Sequence, residues 1–284
     1  MSVPICTDCV SGVIHSGTPK GRTATVHGLD TYIAGPPDGR PPKGLVVVIA
    51  DVFGWGLTNV RVLADVYAEK GGFLVYVPDF LKGHAVDPAG MSLVDRIMAP
   101  SGILGYFSKA VVAFQILFRL IPFLIYNGDS SVLPTVINFF RSCRETEGQA
   151  LKIGAAGFCF GGRFAILLAH NDERFSTADG KPLIDVAFTG HPSMVKVPKE
   201  YEGVRLPLGI AVGSLDTWMS AKQIVEVRNI LDKEPRVEHE VVVYEGAKHG
   251  FAVRGDPGNE EEIKRGIEAE DQAVAWFTRF FGQA

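Results

Sequence analysis

Three residue types that together can move an acyl group stand at the ends of apolar runs in this 284-residue chain: Cys159, Asp216 and His249. Cys159 lies in Gly157-Phe158-Cys159-Phe160-Gly161-Gly162, between a run that reads as a buried strand (from Leu151) and one that reads as a helix (Arg163 to His170). A Gly-x-Cys-x-Gly turn between strand and helix holds its central residue in a strained conformation. The flanking positions then have no room for a Cβ, which is why they are glycine. At a helix N-terminus a thiol is also drawn toward its thiolate, because the amides there favour negative charge. A thiolate attacks an acyl carbon, an imidazole carries the proton, and a carboxylate fixes the imidazole's tautomer and stabilises its cation.

Each residue also has a plainer reading. A Gly-rich turn between strand and helix can cradle phosphate, but the glycines here do not fall at G-x-G-x-x-G and no Gly-Lys-Ser/Thr follows. Free cysteine is often a small buried hydrophobe. Asp216 could cap the helix that follows it, and His249 could be a surface turn residue beside Gly250. Order and placement favour chemistry over these singly plausible roles. Nucleophile, acid and base follow one another along the chain, and all three fall just past the C-terminal end of an expected strand, as do Asp51 and His191.

The elements that must position them alternate. Thr23 to Ala34 reads as two short antiparallel strands around His27-Gly28, and Leu45 to Ala50 as a central parallel strand. A helix is expected from about Thr58 to Lys70, stopped by Gly71-Gly72, followed by a strand at Phe73–Val77. Further strands are expected at Val186–Thr189, Leu208–Val212 and Glu240–Tyr244, with a helix from Ser220 to Asp232 before the last. A C-terminal helix from Glu260 to Phe281 carries Ile263, Ile267, Ala273, Val274, Phe277 and Phe281 as one buried stripe. The alternation predicts a mostly parallel sheet covered on both faces, in a single domain spanning residues 1–284. An apolar insertion occupies residues 82–147. Its Tyr106, Phe107, Phe114, Phe118 and Phe123 suit either a substrate-covering cap or helices packed on the sheet.

Composition narrows the partners. A net charge of −4 gives no basic footprint for nucleic acid. Lys109, Arg119 and Pro122 interrupt the apolar insertion, so no integral membrane segment is expected. Four cysteines in a chain this long make no disulfide framework, and no basic, then apolar, leader opens the sequence, so a cytoplasmic location is expected. Cys6-x-x-Cys9 lacks further ligands at zinc-site spacing and no helical pattern follows it, so the pair is taken as structural or incidental.

With these motifs in place, the chain resembles the dienelactone hydrolase (carboxymethylenebutenolidase) family of α/β-hydrolases. The resemblance rests on Gly157-Phe158-Cys159-Phe160-Gly161-Gly162, the aspartate of Gly213-Ser214-Leu215-Asp216, His249-Gly250-Phe251 and Asp51-Val52-Phe53-Gly54, and spans about residues 45 to 255. It implies an α/β-hydrolase fold and a Cys159–His249–Asp216 triad with no metal or other cofactor. It also implies an acyl-thioester route to the hydrolysis of a small ester or lactone, with an oxyanion hole formed by the backbone N–H groups of Phe160 and Val52. Asp51, Phe53, Trp55, His191, Trp218, Phe251 and Arg254 are the candidate auxiliary or substrate-contacting residues; a homodimer is compatible with this reading.

Two departures bear on substrate. Bacterial members carry glutamate where this chain has Asp51, while eukaryotic-type relatives share its Asp-x-Phe-Gly-Trp. Bacterial members also hold their substrate's carboxylate with arginines, one of which is displaced by a position here, at Arg254. A bulkier, more apolar ester or lactone therefore suits the phenylalanine-rich insertion better than an anionic dienelactone. Thioester cleavage or acyl transfer by the same triad, or ligand binding without turnover, are the competing functions.

Overall fold

The computed structural model describes residues 12–14, 16–90, 112, 114 and 120–282. Eight strands form one sheet: β1 (Arg22–Val26), β2 (Leu29–Ala34), β3 (Leu45–Ile49), β4 (Leu74–Pro78), β5 (Ile153–Phe158), β6 (Val186–Gly190), β7 (Leu208–Gly213) and β8 (His239–Tyr244). Their order across the sheet is β1-β2-β4-β3-β5-β6-β7-β8. The β1–β2 and β2–β4 pairs are antiparallel and every other pair is parallel. The central strands are continuous apolar runs because both faces are covered: β3, β5, β6 and β7 are buried along their whole length. β1 and β2 join through a two-residue loop, His27-Gly28, both with positive φ (48° and 81°), which is the backbone sign a tight hairpin with right-handed strand twist requires.

The named helices among the described residues are α1 (Thr58–Gly71), α2 (Asp129–Glu145), α3 (Phe160–Leu168), α4 (Lys199–Glu202), α5 (Ala221–Leu231), α6 (Phe251–Arg254) and α7 (Glu260–Phe281), with a further short one ahead of α2. Two glycines of β5 show how the layers divide. A Cβ on Gly154 would stand 2.5 Å from the Phe277 ring of α7, and one on Gly157 would stand 2.8 Å from Ala165 of α3. Residues three apart in a strand point to opposite faces, so α7 and α3 sandwich the sheet. α1 stops where Gly72, at φ 71°, accepts the left-handed turn that returns the chain to β4. The helix before β8 starts at a reciprocal Ser220–Gln223 cap, so capping there falls to Ser220 and not to Asp216.

Two expectations need correction. The helix after the cysteine starts at Phe160, three residues earlier than its apolar pattern suggested, with Cys159 as its N-cap residue. On α7 the buried side is Ala269, Ala273, Trp276, Phe277 and Phe280, whereas Ile263 and Ile267 are 40% and 47% exposed. A 22-residue helix outruns the core it covers, and its first turns extend past the sheet over a cavity of about 300 Å³ beside α1 and α6. Within the insertion, residues 129–145 are a regular helix whose Val132, Val136, Phe139, Phe140 and Cys143 join the main core. Ahead of it, Leu120–Tyr126 is helical, with Leu120 and Phe123 buried. These two helices are bent by 69° to each other, and among the described residues no single helix is long and apolar enough to cross a membrane. Tyr106, Phe107, Phe118 and the Cys6/Cys9 pair lie outside the described residues.

Candidate active site

The parallel strands all deliver their C-terminal ends to one edge, and the site is assembled there from the loops that follow β3, β5, β6, β7 and β8. Cys159 leaves β5 at φ 51°, ψ −116°, a conformation that costs a residue with a Cβ on the order of 1–3 kcal/mol and persists only where surroundings enforce it. Here they do. A Cβ on Gly161 would sit 2.0 Å from the Ile49 carbonyl oxygen, and one on Gly157 2.4 Å from the Gly161 carbonyl oxygen. Strand β3, strand β5 and helix α3 thus approach backbone to backbone around the cysteine. The Cys159 N–H donates to the Gly190 carbonyl at 3.2 Å, and its own carbonyl accepts from Ser193 and Gly162, each at 3.0 Å.

The loops carrying Asp216 and His249 are locked together. Ser214 N–H donates to the Tyr244 carbonyl and Leu215 N–H to the Ala247 carbonyl, both at 3.0 Å; Gly246 N–H donates to Ser214 Oγ at 2.8 Å. Gly213 is needed for that approach, since a Cβ there would meet the Ala247 carbonyl oxygen at 2.2 Å. The result is a carboxylate astride an imidazole nitrogen: His249 Nδ1 lies 3.0 and 3.1 Å from the two Asp216 oxygens, with neither side chain exposed. Trp218 N–H donates to the same carboxylate at 2.8 Å and fixes its plane. The Cys159 sulfur is close enough to act on the His249 imidazole, by its charge and as a hydrogen-bond partner. Burial pulls its pKa down, but the Cys159 sulfur and the Asp216 carboxylate outweigh burial and push it up to about 9.

Asp51 closes the site on the β3 side. It is buried, its Oδ1 accepts the Phe53 N–H at 2.9 Å, and Arg254 Nε lies 2.9 Å from its Oδ2. The last contact is an ion pair by distance whose N–H is not well aligned on the oxygen. Burial drives the Asp51 carboxyl up to about 6; Arg254 opposes the shift, and the nearby Cys159 adds to it. Arg254 is itself 2% exposed and lies over the Phe53 ring at 5.3 Å, so its charge is directed at Asp51 and not at solvent. Val52 follows, its carbonyl held by Val86 N–H at 2.8 Å.

The other expected residues are placed as follows. His191 is fully buried, 5.0 Å edge-to-face from the His249 ring and 5.9 Å from Phe251, with neither ring nitrogen hydrogen-bonded among the described residues. Burial, with His249 and Arg254 adding to it, holds it well below the usual imidazole range, hence neutral. Phe251 packs between His191 and Tyr244. Trp55 is half-buried under the Arg61 guanidinium at 4.6 Å. Trp218 is half-buried beside the Asp216 turn.

Two features escaped sequence reasoning. Ser193 is buried with its Oγ 3.7 Å from Cys159 Sγ; its only signal was its place two residues past His191 at the same sheet edge. Arg163, in the turn after the cysteine, is chelated by Glu200 (Nε to Oε2 2.9 Å, Nη2 to Oε1 2.7 Å) and pairs with Asp129 at the start of α2. Long side chains bridging three elements leave no local pattern. Among the described residues, the donors that converge in a way suited to a metal ion, His27, Cys143 and Glu147, lie outside this site.

Sheet order, a cysteine on a strand-to-helix elbow and a histidine–aspartate pair on later loops define an α/β-hydrolase fold. The model of the dienelactone hydrolase family matches residues 29–284. The chain belongs to the dienelactone hydrolase family. It is 30% identical over 280 residues to hydrolase tropI of Talaromyces stipitatus, covering 98% of each chain, and 27% identical over 279 residues to hydrolase pyvD of Aspergillus violaceofuscus, again covering 98% of each. Among solved structures it superposes on a dienelactone hydrolase from Anabaena variabilis with a TM-score of 0.58, at 14% identity, covering 94% of this chain and 99% of the other.

Proposed function

We propose that the protein hydrolyses a carboxylic ester or lactone of an apolar or aromatic small molecule, through Cys159, His249 and Asp216 and an acyl-thioester intermediate. The observation that carries this reading is the continuous chain from sulfur to imidazole to carboxylate at the elbow. In the resting pair, His249 holds the proton and Cys159 is the thiolate. Attack on the acyl carbon places negative charge on the carbonyl oxygen. The Phe160 N–H, in the first turn of α3 and so without an intrahelical acceptor, and the Val52 N–H are the donors for it, each contributing about 3 kcal/mol. His249 then protonates the leaving alkoxide and deprotonates the water that releases the acid. Asp216 keeps the Nδ1 proton in place throughout. Asp51, engaged with Arg254 and the Phe53 amide, orients the turn that presents Val52 while His249 governs the thiol.

Apolar substrate is favoured because Arg254, the cation nearest the site's β3 side, is already neutralised by Asp51. The Phe123 ring meets Phe160 edge-on at 5.2 Å, bringing apolar surface from the insertion against the cysteine. The test is hydrolysis of p-nitrophenyl acetate and of a panel of aromatic and macrocyclic lactones, with and without iodoacetamide. Loss of turnover on alkylation of Cys159, and in Cys159→Ala and His249→Ala, is expected, with Asp51→Ala retaining more activity than His249→Ala. Turnover unaffected by alkylation of Cys159 would end the proposal.

A further inference from the structure

A second cluster of reactive side chains lies away from this site, where the hairpin of β1 and β2 meets the end of α2. A His27 ring nitrogen, Cys143 Sγ and a Glu147 carboxylate oxygen all lie within 4.8 Å of one another. They come from three separate places: the hairpin turn, the last turn of α2, and the short helical turn that follows it. We propose that these three residues bind a zinc ion, which ties the hairpin to α2.

The donor set fits that ion. Imidazole nitrogen, thiolate sulfur and carboxylate oxygen are the three ligand types zinc uses, and one neutral and two anionic ligands balance its charge. In a tetrahedral site the donor atoms stand roughly 3.2–3.8 Å apart. His27 Nε2 and Glu147 Oε2 are already at 3.1 Å, so closure needs a shift of about 1 Å or less by the sulfur or its partners. The His27 and Glu147 side chains are 17% and 20% exposed, so water can reach the cluster to serve as a fourth ligand.

The surroundings are those of ligands held in advance. Glu147 accepts from Tyr76 OH at 3.0 Å and from the Thr146 hydroxyl, which orients its carboxylate. The His27 ring is set by Phe139, edge-on at 5.4 Å. Cys143 has no hydrogen-bond partner for its sulfur among the described residues, although its thiol is buried against a carboxylate. The hairpin also departs from local preference: both loop residues have positive φ, where Asn, Asp or Gly is favoured, yet the first is histidine. A local rule broken at the one position whose side chain reaches Cys143 and Glu147 is what a site produces. Without metal, burial and Glu147 keep the Cys143 thiol protonated; on binding, the thiol proton passes to solvent as the sulfur–zinc bond forms.

The chain has four cysteines, so the full-length Cys6→Ser/Cys9→Ser/Cys159→Ala variant leaves Cys143 as its only thiol. Cobalt(II) added to it reports thiolate ligation through a sulfur-to-metal charge-transfer band, and zinc displaces that band with one-to-one stoichiometry. The expected result is a band abolished by Cys143→Ser and metal affinity lowered at least tenfold by His27→Ala and by Glu147→Gln. Far-UV circular dichroism confirms that each variant is folded; His27→Ala, on a half-buried turn, is the variant best placed to pass that check. Zinc at one hundred times its dissociation constant should raise the melting temperature by about 5 °C, and should not do so in His27→Ala. Absence of the band at tenfold excess cobalt, or a band unchanged by His27→Ala and Glu147→Gln, would overturn the site.

Discussion

Replacing Asp216 with asparagine tests the sulfur–imidazole–carboxylate chain without removing its volume. Asn Oδ1 still accepts the Trp218 N–H that Asp216 Oδ1 accepts at 2.8 Å, so the loop should hold its shape. The amide, however, presents a donor to His249 Nδ1 and turns the imidazole over to the tautomer protonated on Nε2, which cannot take the thiol proton. The electrostatic loss follows from the same geometry. The Cys159 sulfur and the Asp216 carboxylate outweigh burial and hold His249 up to about 9, against an ordinary 6.5. Asp216 is one of the two groups that raise it, so loss of the carboxylate weakens the imidazolium that His249 presents to the sulfur. Adding the tautomer penalty, kcat/KM for p-nitrophenyl acetate should fall by roughly 10²–10⁴. The assay pairs that rate with iodoacetamide alkylation of the Cys159 peptide, followed by mass spectrometry, which isolates it from the other cysteines. A variant that stays folded and keeps both rates within about threefold of wild type would refute the coupling.

Asp51→Asn or Arg254→Met alone leaves a buried charge unmatched and should cost roughly 3–5 kcal/mol in urea unfolding, whereas the double variant should cost well under the sum; additivity would show that the 2.9 Å pair is not coupled. The raised His249 pKa means that its contribution to stability is whole below about 6.5 and lost as pH rises through about 9, so the urea midpoint should fall between those values and His249→Gln should flatten that slope. Asp51 works in the same direction at lower pH: its folded state holds the proton more tightly, so its share of stability is present below about 3.8 and lost as pH rises through about 6. kcat/KM should fall on the alkaline side with an apparent value near 9, as the imidazolium that protonates the leaving group disappears. Gly161→Ala places a Cβ against two carbonyl oxygens of the β3 end, at 2.0 and 2.6 Å, and is expected to yield unfolded or aggregated protein, checked by soluble yield and melting.

What the sequence determined by itself was everything carried by short-range pattern. A continuous β-branched run marked β3, glycine at Gly72 marked the end of α1, and the glycines around Cys159 marked an elbow, because steric demands on one turn are written into adjacent residues. The bounds of α7 were legible for the same reason, but not its buried side. Ile263 and Ile267 belong to the apolar pattern yet stand over a cavity, since what a helix covers depends on how far its partners extend. Tertiary structure alone decided which charges meet. That Arg254 is paired with Asp51, that Arg163 joins Glu200 and Asp129, and that His27 faces Cys143 and Glu147 across more than a hundred residues could not be read from spacing. Electrostatic and ligand geometry depends on through-space distance, which local periodicity does not encode.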